Sequence, residues 1–195
     1  MKKFLFLLCL TFTAFATLSA QEPSEHMTFK GIPIDGTLNN FVAKLKQKGF
    51  TYQGTNDGVA LLHGDFAAYK NCLVGVVSQK DKDLVVKVAV MFPTQDKWSG
   101  LEKNYLSLKN MLTIKYGEPS DCIETFQTYS EPQNDLQKMT NLQLDKCKYQ
   151  TLFETSKGSI ELQITHRNTV ECYVMLSYYD SINQKTVMSD AMDDL

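Results

Sequence analysis

Leu45–Tyr52 reads "LKQKGFTY" and Leu112–Pro119 reads "LTIKYGEP". Both close an apolar segment of helical period with lysine, an aromatic residue and glycine, and strand-like sequence follows each. Before the first, Leu38, Phe41, Val42 and Leu45 fall at i, i+3, i+4 and i+7, so one helix face is apolar. Asp35 or Thr37 is placed to cap this helix, and Gly49 to end it in a left-handed conformation. Before the second, Leu101, Tyr105, Leu108 and Leu112 make the stripe. Ser99 and Glu102 have the spacing of a capping box, and Gly117 and Pro119 stop the helix.

Strand signals surround these helices. "MTFKGIPI" (27–34) is extended, with Pro33 confining it to an edge or strand end. After the first helix, "FTYQG" and "VALLHGDF" flank the turn "NDG" at 56–58, with a bulge expected at Gly64. "YKNCLVGVVSQ" and "LVVKVAVMF" follow. Four more candidates follow the second helix: "DCIETFQTY", "LDKCKYQTLFE", "GSIELQITH" and "ECYVMLSYY". A polar loop, Ser130–Asn141, divides the first two, with a helical turn expected around Leu136 and Met139. An amphipathic helix and a small sheet each need cover for one apolar face, and packing one on the other supplies it. The fold expected is therefore α+β: two tandem helix-plus-four-strand units, an antiparallel sheet with helices on one face. The units are placed at 27–93 and 94–180, after a linker at 21–26 and before a flexible acidic tail at 181–195.

The N-terminus reads as a signal peptide. Lys2 and Lys3 precede an apolar run from Phe4 to Phe15, and "TLSA" offers small residues for cleavage after Ala20. The run is too short to span a bilayer as a stable helix. The chain is expected to be exported, to the periplasm or the exterior, with no transmembrane segment after cleavage. Removing Lys2 and Lys3 from 20 basic residues leaves 18 against 22 acidic ones, a net charge of −4. Such a chain has no electrostatic footprint for nucleic acid.

Four cysteines follow the leader: Cys72, Cys122, Cys147 and Cys172. An even count in an exported chain suggests two disulfides, of three possible pairings. Cys122 and Cys147 lie on strands expected to be neighbours, so they are paired, leaving Cys72 with Cys172. No CxxC is present. His26, His63 and His166 lack metal-site spacing, and a His63–Asp65–His166 site would require the two halves to converge. There is no GxSxG, phosphate loop or dinucleotide fingerprint. No catalytic residue, metal or cofactor is assigned. Trp98 is read as a hydrophobic cover over the start of the second helix.

The last strand of each half is apolar on both sides. If Val86, Val88 and Val90 face the helices, Val85, Ala89 and Met91 face away; if Val174 and Leu176 face them, Tyr173, Met175 and Tyr179 face away. That outward face suits a protein or peptide partner, or a second copy, unless the tail or the Ser130–Asn141 loop covers it. The binding residues expected are Tyr173, Met175, Tyr179, Val85 and Met91. The element order resembles that of the beta-lactamase inhibitor protein family, in which helices cover one sheet face and the open face grips a partner protein. "FKGIPIDGTLNNFVAKLKQKGF" (29–50) resembles the start of small secreted bacterial proteins, a resemblance that brings no activity with it. The function expected is a non-enzymatic exported binding module. The alternatives are a hydrolase with a site assembled from distant residues, and a small-ligand or lipid carrier.

Overall fold

The computed structural model describes residues 24–193. The expected signal peptide and the start of the linker lie outside the described residues. The chain opens with a small hairpin, β1 (Thr28–Phe29) and β2 (Ile32–Pro33). α1 (Leu38–Gln47) follows, and Thr37 accepts from the Asn40 N–H to cap it. Gly49, at φ 91°, turns the chain into β3 (Thr51–Asn56). β4 (Val59–Phe66), β5 (Tyr69–Gln79) and β6 (Leu84–Met91) complete a meander. The second half runs α2 (Trp98–Tyr116), β7 (Asp121–Phe126), α3 (Asp135–Gln143), β8 (Cys147–Thr155), β9 (Gly158–Arg167) and β10 (Glu171–Asp180). α4 (Ser181–Asp193) ends it.

The fold is α+β. The eight long strands form one antiparallel sheet in the order β3-β4-β5-β6-β10-β9-β8-β7. Two runs of strands thus travel inward from opposite edges and meet where β6 pairs with β10. α1 packs over β3, β5 and β6, and α2 over β8, β9 and β10. One continuous core lies beneath them. Phe41 and Leu45 of α1, and Leu101, Tyr105 and Leu108 of α2, meet Leu62, Val74, Val90, Leu162 and Leu176 of the sheet. Trp98 is buried against Phe126 and Tyr149, with ring centroids at 4.9 and 4.8 Å, as a cover over the start of α2.

Several expectations are corrected. The Ser99–Glu102 box does not form: Lys97 is the N-cap residue of α2, and Ser99 Oγ donates to Asp135 at 2.7 Å. The helical turn expected around Leu136 and Met139 in the Ser130–Asn141 loop is a longer helix, α3, and the tail expected to be flexible is helical as far as Asp193. The two disulfides are absent: Cys72, Cys122, Cys147 and Cys172 are all free. Cys122 lies opposite Thr151, and Cys147 opposite Phe126, so the two cysteines sit four positions apart along paired strands, about 13 Å. Cys72 on β5 and Cys172 on β10 have β6 between them, about 10 Å across two strand spacings. Both separations exceed what a disulfide spans.

The thiols differ in environment. Burial pushes the Cys72 and Cys172 thiols up, and that of Cys147 up to about 12. Cys122 alone is exposed, with Lys109 Nζ 3.1 Å from its sulfur. A buried clasp joins the first described residues to the start of α4. Asp180 is fully buried between β10 and α4. Its Oδ2 accepts from the Met27 N–H at 2.7 Å; its Oδ1 accepts from the Asn183 N–H at 2.8 Å and lies 3.1 Å from His26 Nδ1. Asn183 Nδ2 in turn donates to the carbonyls of Ile34 and Val85, each at 2.9 Å.

Two outcomes follow. An aromatic disulfide reagent should titrate one thiol quickly in the native protein and three more only on unfolding, with Cys122→Ser removing the fast one. Fewer than four reactive thiols after unfolding without reductant would contradict this cysteine arrangement. Asp180→Ala should cost about 2–4 kcal/mol in chemical denaturation, since a helix cap and a second buried donor lose their acceptor. Asp180→Asn, which keeps an acceptor oxygen for Asn183, should cost less.

Candidate functional site

The face turned away from α1–α3 is built in rows set by strand register. His63, Leu73, Met91, Met175 and Gln163 make one row; Leu61, Gly75, Ala89, Ser177 and Glu161 the next; Val59, Val77, Lys87, Tyr179 and Ser159 the third. From β4 to β10 these rows are mainly apolar and half-exposed; on β9 they turn polar. The middle row is small, and Gly75, Ala89 and Ser177 are buried although they lie on the open side. A Cβ at Gly75 would lie 3.8 Å from both the Leu61 and Val59 side chains, so large neighbours lean over this row. Ser177 Oγ is buried there without a hydrogen-bond partner.

Of the residues expected on this face, Met91, Tyr173, Met175 and Tyr179 are there, each half-buried. Val85 is not: it is fully buried in the core. The reason is a bulge. Ser78 pairs with Val85 and Val77 with Lys87, so Val86 is an extra residue and the alternation shifts by one. Val85 then shares the covered side with Val88 and Val90, while Val86 and Lys87 both line the open side. Sequence reading also missed Val59, Leu61, Leu73 and Val77. Their signal was available, since β4 and β5 place apolar residues at alternate positions on both faces.

Along β10 the strip runs from Tyr173 to Tyr179, seven residues or about 20 Å. It ends in a hollow at each side. At the Tyr179 end, Val77, Val86, Lys87 and Tyr179 face Gln184, Val187 and Met188 of α4 across about 530 Å3. The helix that replaces the expected tail therefore borders this end. Lys87 Nζ donates to the Tyr179 hydroxyl at 2.8 Å, and that hydroxyl donates to Glu161 at 3.0 Å. At the Tyr173 end, a hollow of about 490 Å3 is lined by His63, Leu73, Met91 and Tyr173 and by the Arg167–Glu171 ion pair.

Other chemically capable groups lie elsewhere. His63 does not meet His166, because the two point to opposite sheet faces. Cys172, paired with His166, belongs to the covered side, and His166 Nε2 lies 3.1 Å from Asp145. Among the described residues no His, Cys, Asp and Glu side chains group as a metal site. A polar cluster lies at the β7 edge. Lys109 Nζ lies 2.6 Å from Glu124 and 3.1 Å from Cys122, and the Tyr105 hydroxyl bonds Thr151 beside them. Burial would raise the Glu124 carboxyl, but hydrogen bonds from Lys109 and Cys122 outweigh it and hold it below the usual range. Burial raises the Tyr105 hydroxyl. This cluster opens into none of the hollows described above.

No family model matches the chain, and comparison with curated proteins and with solved structures found no match.

The middle row makes its own test. Ser177→Ala removes a buried hydroxyl that has no partner, so it should raise stability by up to about 1 kcal/mol in urea denaturation. A loss of more than about 1 kcal/mol would mean that the hydroxyl is bonded in the folded protein.

Proposed function

We propose that this protein is an exported, non-enzymatic module that binds a protein or peptide through the open face of its sheet. The observation that carries the reading is the half-exposed apolar strip of Leu61, Leu73, Val77, Met91, Tyr173 and Met175 beside a polar margin of Glu161, Gln163 and Thr165. Its footprint is about 20 Å by three strand spacings, on the order of 300 Å2. Apolar patches of roughly that size on a monomer are often functional. An apolar centre with a polar rim is also the usual anatomy of a protein interface.

The carrier alternative needs an enclosed apolar space between sheet and helices. That space is filled by Phe29, Phe41, Leu45, Tyr105 and Phe153, all fully buried. The hydrolase alternative needs convergent polar groups in a cleft. The Lys109–Cys122–Glu124 cluster instead sits at an edge, and both hollows are broad and open. Export rests on the basic and then apolar leader at 1–20, and the resemblance in element order to the beta-lactamase inhibitor protein family points the same way for the open face. Two of the four free thiols, Cys72 and Cys172, are buried and Cys147 is partly buried, where an oxidising compartment reaches them slowly.

Leu61→Ser combined with Tyr173→Ser should weaken association at least tenfold, because large apolar groups at a partly exposed face dominate interface energy. Neither side chain belongs to the buried core, so the fold should lose only about 1 kcal/mol. Thermal melts run beside sedimentation of the purified protein and pull-down from the native envelope fraction separate the two effects. A double variant that folds and associates like the wild type would remove the open face as the binding surface.

A further inference from the structure

The Tyr173 end of the strip is charged, and the charge has a direction. The hollow at that end shares His63, Lys70 and Asn71 with a second hollow of about 540 Å3 that turns round the edge of the sheet to Lys30 and Lys48. The two are one continuous surface. Four cations border it: Lys30, Lys48, Lys70 and Arg167. Two acids answer them. Asp65 holds Lys70 at 2.6 Å, and Glu171 holds Arg167 at 2.6 Å. Among the described residues neither Lys30 nor Lys48 closes an ion pair, although Lys30 lies near enough to Asp65 to help lower its carboxyl after Lys70 and the Asn71 N–H. Lys30 Nζ is positioned over the Phe50 and Phe66 rings, 5.9 and 6.0 Å from their centroids. His63 stands on the wall common to both hollows with its Nδ1 buried and unpartnered.

This local surplus sits on an acidic body. Residues 21–195 hold 18 basic and 22 acidic side chains, so 14 and 20 remain elsewhere. An anionic segment is attracted to this end and repelled by the rest of the surface, which fixes orientation as well as encounter. The same hollow continues onto Leu73, Met91 and Tyr173, so an occupant can present acid and apolar groups together.

We infer that the partner seated at this end is an acidic peptide segment. Its carboxylates lie against Lys30, Lys48 and His63 while an apolar side chain rests on Leu73, Met91 and Tyr173. The inference depends on the open-face reading and adds the chemistry of the partner to it. An extended segment reaches both the cations and the strip, whereas a small free carboxylate reaches only the cations. An acidic body disfavours a nucleic acid, whose phosphates run on past this end.

The test is calorimetric and NMR titration of the intact protein with the capped hexapeptide LFLEDE and its amide isostere LFLQNQ, at low and raised salt. The acidic peptide should bind about tenfold more tightly, with the advantage shrinking as salt screens exposed charges. Lys30→Glu with Lys48→Glu should abolish the preference and leave binding of the isostere unchanged. Equal affinity for the two peptides overturns the acidic partner, as does no binding of either at millimolar concentration. Tighter binding of a thymidine oligonucleotide or of free acetate also overturns it. Leu73→Ser with Tyr173→Ser separates the two levels of argument. It should weaken both peptides together; if it changes neither while the salt-sensitive preference persists, the open-face reading fails and only an anion site remains.

Discussion

Everything on the open face depends on the pairing of β6 with β10. Met91 lies opposite Met175, Ala89 opposite Ser177, and Lys87 opposite Tyr179. Alone, each half would be a narrow sheet with two edges, its outward apolar strip three strands wide in the first half and one strand wide in the second. The seam joins Val88 and Val90 to Tyr178 and Leu176 on the covered side, so the core beneath α1 and the core beneath α2 become one. It also sets β4 and β5 beside β10 on the open side. The Asp180 clasp holds the seam at one end. A single buried carboxylate accepts from Met27, just before β1, and from the last described helix, and Asn183 bonds the end of β6 through the Val85 carbonyl.

The bulge in β6 resolves a conflict in its sequence. Strict alternation from Val90 backward would bury Val88 and Val86 and turn both Lys87 and Val85 outward. Setting Val85 inward without a bulge would carry Lys87 inward with it, and an unpaired ammonium in the core costs several kcal/mol. The extra residue at Val86 allows both. Val85 is buried, a gain of about 1.5–3 kcal/mol for a side chain of this kind. Lys87 stays outside, where its ammonium meets the Tyr179 ring at 4.6 Å as well as its hydroxyl.

The same residues show what could be read from the sequence and what could not. The ends of α1 and α2 were legible because Gly49 and Gly117 sit at φ 91° and 90°, a conformation that side chains with a Cβ resist. The outward set on β10 was legible because the covered side carries Cys172, Val174 and Leu176 without interruption. β6 was not, since valines occupy both sides and its bulge is defined only by pairing with β5. Cysteine pairing failed for a related reason. Spacing along the chain says which strands are neighbours, but register decides which residues face each other, and the β7–β8 register depends on how α3 spans the connection. α4 was obscured by the acidic composition of "DAMDDL". The cap that starts it, Asp180 accepting from Asn183 three residues on, has the spacing of an N-cap.

The sheet contains its own control for what its open face is for. β9 carries Ser159, Glu161, Gln163 and Thr165 outward, the composition of a strand side that meets water. β5 carries Leu73, Gly75 and Val77 outward in the same sheet and on the same face. Both strands are interior, both pair on each side, and both bury apolar residues beneath a helix. Folding requires the covered positions to be apolar in each and makes no such demand on the outward ones. The difference is therefore not a by-product of making the sheet, and it costs solubility where it occurs. α4 relieves only part of that cost. It is anchored through the buried Asn183 and leaves Met188 and Met192 about three-fifths exposed, at 62% and 61%. An apolar strip kept on one half of a face whose other half shows the polar alternative is what the proposed contact with another surface requires.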